Sequence, residues 1–202
     1  MVKINKYSVL IFLVIIYSCV PITHNKNKFD IKKSESIDEI KTYGYYYSNN
    51  RNNESIVARL LFRDGFYKEL GVVNSEINNK YFKKYCDNIE SNCFKNLECM
   101  IDNYDNFFKI ETNFLNRSSE IWDWGRFEIK EGKIKIQYFY NRFGNYYLVE
   151  ERGVIIDNKS FNISSKYDYR NGISENLNIT YFFKEYDVNK ALNCKPRFFN
   201  NY

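Results

Sequence analysis

Few side chains here have the types and spacing for chemistry, and the cysteines come first. The chain has 5 of them: Cys19, Cys86, Cys93, Cys99 and Cys194. With Cys19 set apart, for the reason given below, an even set remains, and outside the cytoplasm that reads as two disulfides. Cys86 and Cys93 are seven positions apart, about 10 Å between Cα atoms on one continuous helix. A bridge needs less than about 7 Å, so any bridge inside this cluster requires a break in the helix. Three connectivities are open; the preferred one joins Cys93 to Cys99 locally and Cys86 to Cys194, pinning the tail. Zinc is the competing use, but there is no C-x-x-C pair and the 1 histidine, His24, lies far away in sequence. No metal or other cofactor is expected.

A lone histidine near the amino end also argues against a Ser-His-Asp or Cys-His device. HExxH, EF-hand, P-loop and dinucleotide-binding patterns are absent from the sequence. Glu150 and Glu151 are the conspicuous carboxylate pair. Neighbours on a strand point to opposite faces, so they make a poor glycosidase pair and read as a solvated segment pairing with lysines. No catalytic residue is therefore assigned. Trp122 and Trp124, at i and i+2, would share one face of a strand. They read either as core, plugging a barrel end, or as a ligand platform that Tyr138 extends, for an apolar molecule inside or a sugar ring outside.

These residues need a scaffold, and the pattern supplies strands. Tyr43 to Tyr47 is a short aromatic strand. Ile56–Phe62 and Phe66–Val73 flank Arg63-Asp64-Gly65, with Asp64-Gly65 suited to the two positive-φ positions of a type I′ hairpin turn. From Ser75, a candidate helix cap, Ile77, Tyr81, Phe82, Tyr85 and Ile89 recur at helical spacing. A second short helix falls within Leu97–Phe108, and the whole insert, about 75–118, carries the cysteine cluster. Strands resume at Ile121. Ile134, Ile136 and Tyr138 alternate with Lys133, Lys135 and Gln137 after a Glu131-Gly132 turn; Phe143-Gly144 turns into Tyr146–Glu151; Gly153 marks a bulge. Phe161, Ile163, Ser165, Tyr167 and Tyr169 form the next alternating face, and Leu177, Ile179, Tyr181 and Phe183 the last. About eight antiparallel strands can close into an up-and-down barrel, filled by side chains or holding one small ligand.

The amino end is of another kind. Lys3 and Lys6 precede the apolar run Val9–Ile16, which is too short for a membrane span of roughly 20 residues. It ends Ile16-Tyr17-Ser18-Cys19, which resembles the lipobox of bacterial lipoproteins. The resemblance implies a signal peptide over 1–18, cleavage before Cys19 and acyl chains on that residue. Residues 19–39 then read as a flexible polar tether and 40–202 as the domain. Loss of Lys3 and Lys6 takes the net charge from +5 to +3, too weak an excess to suggest nucleic acid. Val20, rather than Asp, after Cys19 implies by analogy the outer membrane. The following VPITHNKNK has no acidic stretch for surface export, so the default orientation faces the periplasm.

Trp124-Gly125-Arg126-Phe127-Glu128-Ile129, followed by Gly132-Lys133-Ile134-Lys135-Ile136, resembles small lipocalin-like lipoproteins of Bacteroidetes, with Gly44-Tyr45-Tyr46 in the place of their opening strand. Roughly 43–185 matches in pattern. The resemblance implies a mainly β, lipocalin-like barrel or β-meander with a helical cysteine-bearing insert, and no known catalytic residues. The expectation is a non-catalytic lipid-anchored envelope protein, membrane-bound through its lipid, that takes a small apolar ligand or a protein partner. The second reading is a purely structural or interaction lipoprotein using the insert; an envelope enzyme or inhibitor ranks third.

Overall fold

The computed structural model describes residues 22–32, 37–49, 54–75, 80–86, 92–108, 121–192, 195–196 and 199. The expected signal peptide, Cys19 and Cys194 lie outside them. The described chain is mainly β, a closed barrel of eight antiparallel strands in sequence order. The strands are β1 Gly44–Asn49, β2 Ser55–Leu61, β3 Phe66–Asn74, β4 Trp124–Lys130, β5 Lys133–Arg142, β6 Asn145–Asp157, β7 Ser160–Asp168 and β8 Ile173–Glu185. β1 closes on β8 with Gly44 opposite Glu185. Between β3 and β4 the helices α1 (Lys80–Tyr85), α2 (Cys93–Asp102) and α3 (Tyr104–Phe108) form the insert; α4 (Asn189–Leu192) follows β8.

Turn chemistry sets the register. At Glu131-Gly132 and Phe143-Gly144 both residues have positive φ (52° and 70°, 53° and 82°), the signature of two-residue type I′ hairpins. The Asp64-Gly65 turn differs from expectation. Gly65 alone is left-handed, at φ 79°, and Phe62 N donates to Phe66 O at 2.9 Å across a three-residue loop. Arg63 takes the extra position, so a single glycine suffices. The expected bulge at Gly153 is present, between Arg152 and Gly153 against β7.

The barrel is lopsided. Its interior holds Tyr46, Leu61, Phe127, Ile134, Ile136, Phe161, Ile163 and Tyr181 among others. A second core lies outside β2–β6, where Leu97 and Ile101 of α2 meet Ile56, Ala58, Leu60 and Leu70. Strands buried on both faces lose polar alternation, which is why Ile56–Phe62 reads as one apolar run. Asn92 caps α2, its Oδ1 accepting from Phe94 N at 2.9 Å and Lys95 N at 3.2 Å. Asn96 donates to the carbonyls of Asn74 and Ser75, both at 3.0 Å, fixing α2 to the end of β3.

The disulfide joins Cys86 to Cys99, Cα atoms 6.0 Å apart, which corrects the preferred pairing. Cys93 and Cys99 sit on one unbroken helix, six residues and so about 9 Å apart. The break falls between Cys86, just past α1, and Cys93, the first residue of α2. Cys93 keeps a buried free thiol.

The expected flexible tether is also corrected over its described part. Phe29, Ile31 and Ile37 are buried, as is Ile40 just beyond. Residues 28–31 form a strap across the outside of β5. Gln137 Oε1 accepts from Asp30 N at 2.9 Å and Ile31 N at 3.4 Å, and its Nε2 donates to Lys28 O at 3.2 Å. Ile37 and Ile40 join the interior core and plug one barrel end. There Ile37 N donates to Arg63 O at 2.9 Å and Lys41 N to Asn158 O at 2.8 Å, both on turns of that end.

Candidate functional site

The interior changes character halfway up. Near the plug it is packed with apolar and aromatic side chains. Toward the other end, where the β5–β6 and β7–β8 turns lie, it opens into a cup of about 570 Å³. That volume lies within the range of small-molecule sites.

A buried charge cluster forms the base. Arg59 projects inward from β2 and is 5% exposed. A bulge at Ala58/Arg59 against β3, with Gly71 at φ 80°, sets Arg59 directly opposite Glu69. Arg59 Nη1 and Nη2 donate to the two Glu151 oxygens at 2.6 and 3.2 Å. Its Nε faces Glu69 Oε2 at 3.2 Å, close enough for an ion pair although not aligned as a hydrogen bond. The guanidinium lies 4.2 Å from the Tyr181 ring centroid and 5.7 Å from that of Tyr67. Tyr138 OH donates to Glu151 Oε1 at 3.2 Å, and Tyr67 OH donates to Glu69. Burial disfavours charge on Arg59, but Glu151 and then Glu69 outweigh it and hold its pKa above the usual value. Burial pushes the Tyr138 and Tyr67 phenols well up; Glu151 adds to the first, and for the second Glu69 opposes the lowering by Arg59.

Asp123 stands on the wall above. β4 stops short, pairing with β3 only from Phe66 to Lys68. The seam between β3 and β5 is spanned by an irregular link in which Glu69 N donates to Asp123 O at 2.8 Å and Asp123 N to Phe139 O at 2.7 Å. Asp123 takes a left-handed backbone, φ 59°, and lines the cup. Burial raises its carboxyl to about 6, with Lys68 pulling the other way. Burial likewise lowers Lys68 to about 8, against the pull of Asp123.

Of the three ligand candidates, Tyr138 lines the cup and the tryptophans are not among its lining residues. Trp124 opens β4 on the outer face, stacked on Phe62 at 5.9 Å and edge-on to Phe66 at 6.4 Å. Trp122 precedes the strand, is 38% exposed and accepts Lys68 Nζ on its carbonyl at 3.0 Å. The left-handed Asp123 breaks the alternation that would have put both rings on one strand face. Glu150 and Glu151 do point to opposite faces, but neither is solvated: they are 6% and 3% exposed. Glu150, outside, accepts from Gln137 Nε2 at 2.8 Å and Arg152 Nε at 2.6 Å. His24, near the amino end of the sequence, comes to the rim, its ring stacked on Tyr147 at 4.6 Å with 4° between planes; Tyr147 in turn meets Tyr140, a lining residue of the cup.

The residues missed from sequence are Arg59 and Glu69; Glu151 was singled out but read as solvated, whereas it is 3% exposed. The one signal was a charge within an apolar run, Val57-Ala58-Arg59-Leu60-Leu61. Two further hollows, of about 290 and 560 Å³, lie at β6–β8 and at β4–β7. Glu150, which lines the first, is engaged in supporting Gln137, the residue that holds the strap; Glu128, which lines the second, is paired with Lys130. Among the described residues no helix is long and apolar enough to cross a membrane. No family model matches the chain, and neither a curated protein nor a solved structure matches it.

Proposed function

We propose that this chain is a non-catalytic, lipid-anchored protein of the bacterial envelope that binds one small ligand in the open half of its barrel. The observation behind this is the division of the interior into a packed floor and a cup of about 570 Å³. The Cys86–Cys99 bridge supports an oxidising compartment. Resemblance of Ile16-Tyr17-Ser18-Cys19 to a lipobox supports the anchor, and the lipocalin-like pattern supports the binding role.

The wall chemistry refines the ligand from apolar to amphipathic. Tyr138, Tyr181, Leu177 and Ile179 offer ring and aliphatic faces, while Glu69, Asp123, Glu151, Asp168 and Glu175 outnumber Arg59, Arg142 and Lys166. Such a lining suits a small organic amine better than a fatty acid. The test is thermal stability in the presence of amines, fatty acids and sugars. A ligand at 100 times its Kd adds about 2.7 kcal/mol, and Leu177→Trp, which narrows the cup, reduces the effect. Stabilisation left unchanged by Leu177→Trp, or none from any class, refutes the reading.

A further inference from the structure

We infer that the open end of the barrel rests against the bilayer, with the Phe143 turn at the membrane surface, so that the cup opens toward lipid. This rests on the lipid-anchor reading of Cys19. Ile22, the first described residue, is fixed to the rim: its N–H donates to Asn145 Oδ1 at 3.0 Å and its carbonyl accepts from Tyr146 N at 2.9 Å. His24 N donates to Tyr146 O at 2.8 Å, continuing the attachment. Three peptide units separate Cys19 from Ile22, a reach of at most about 11 Å. A lipid on Cys19 therefore brings the β5–β6 turn to the membrane and points the plugged end away.

The rim has the chemistry for that position. Phe143, at the tip of the β5–β6 turn, is 90% exposed and carries a left-handed backbone, φ 53°. A bulky residue is rare in that conformation, and here its ring stands in solvent. Ile22 and Ile173, on neighbouring segments of the same end, are 56% and 50% exposed. Arg142 lies 5.6 Å from the Phe143 ring and Arg170 lies 5.0 Å from the Tyr147 ring. Apolar tips beside arginines and a tier of tyrosines match a bilayer interface, where apolar groups enter the acyl boundary and cations meet lipid phosphates.

The test uses the full-length chain, processed in cells and reconstituted into vesicles containing bromine-labelled phospholipid. Phe143→Trp places a reporter at the rim and Lys159→Trp one at the plugged end; both positions are exposed, so folding is preserved. Emission is read as the increase over wild type, which removes Trp122 and Trp124. The expected result is quenching and a blue shift for Phe143→Trp, none for Lys159→Trp, and a mature mass carrying acyl chains. An acylated protein with an unquenched Phe143→Trp reporter, or with both reporters quenched alike, overturns the orientation and leaves the anchor standing. A mature mass without acyl chains overturns both.

Discussion

Removing the carboxylate of Glu151 measures how much the buried cluster contributes. Glu151→Ala deletes both acceptors of the Arg59 fork, at 2.6 and 3.2 Å, and the acceptor of Tyr138 OH at 3.2 Å. Arg59 stays at 5% exposure with Glu69 as its remaining carboxylate. Breaking one side of a buried ion pair costs about 3–5 kcal/mol, most of it the uncompensated charge. Arg59→Met/Glu151→Leu removes that pair and fills the space, a replacement often close to neutral, while Glu69 keeps Tyr67 OH as its donor. Tyr138 OH loses its acceptor in both variants, a common loss of about 1–3 kcal/mol. The double variant is therefore more stable than Glu151→Ala, by about 2 kcal/mol. The assay is urea unfolding of the Cys19→Ser chain, followed by fluorescence. With a slope of about 2 kcal/mol per molar, the single variant lowers the midpoint by about 1.5–2.5 M at unchanged slope. A loss below about 1 kcal/mol for Glu151→Ala, or a double variant no more stable than Glu151→Ala, refutes the claim that Arg59 is a desolvated cation held by its partners.

Two further outcomes follow from the geometry. Asp123 titrates near 6 when folded, against 3.8 ordinarily, so the folded state holds its proton more tightly than the unfolded one. Its contribution is fully present below about 4 and lost as pH rises through about 6, worth at most about 3 kcal/mol; the stability of wild type minus that of Asp123→Asn must fall from pH 4 to 6.5, and a flat or rising difference excludes it. Gln137→Leu removes the acceptor of the Asp30 and Ile31 amides at a cost of about 2 kcal/mol, and hydrogen exchange should show residues 29–31 losing protection while β5–β8 keep theirs.

The sequence made the barrel wall legible where inward apolar residues alternate with polar ones. Ile134, Ile136 and Tyr138 alternate with polar neighbours, as do Leu177, Ile179, Tyr181 and Phe183, and both sets face inward. The strap was hidden because it docks in extended form: Phe29 and Ile31 are buried by contacts with β5 and with Phe199 rather than by any helical or strand period. The charge cluster was hidden for a related reason. An arginine within an apolar strand carries no mark of inward or outward direction until the bulge at Gly71 sets Glu69 across from it. Tyr138 alone of the proposed ligand residues was found because its strand alternates cleanly, whereas the link at Asp123 follows no period.

The seating of the strap also fixes an order in time. Asp30 binds a glutamine 107 residues further along, and β1 finds its second neighbour only at β8, Gly44 against Glu185. Pairings so distant in sequence slow folding, because loop closure must precede any gain from contact. Phe29 therefore cannot seat until β5 is in place, and the barrel cannot close until β8 has joined β1.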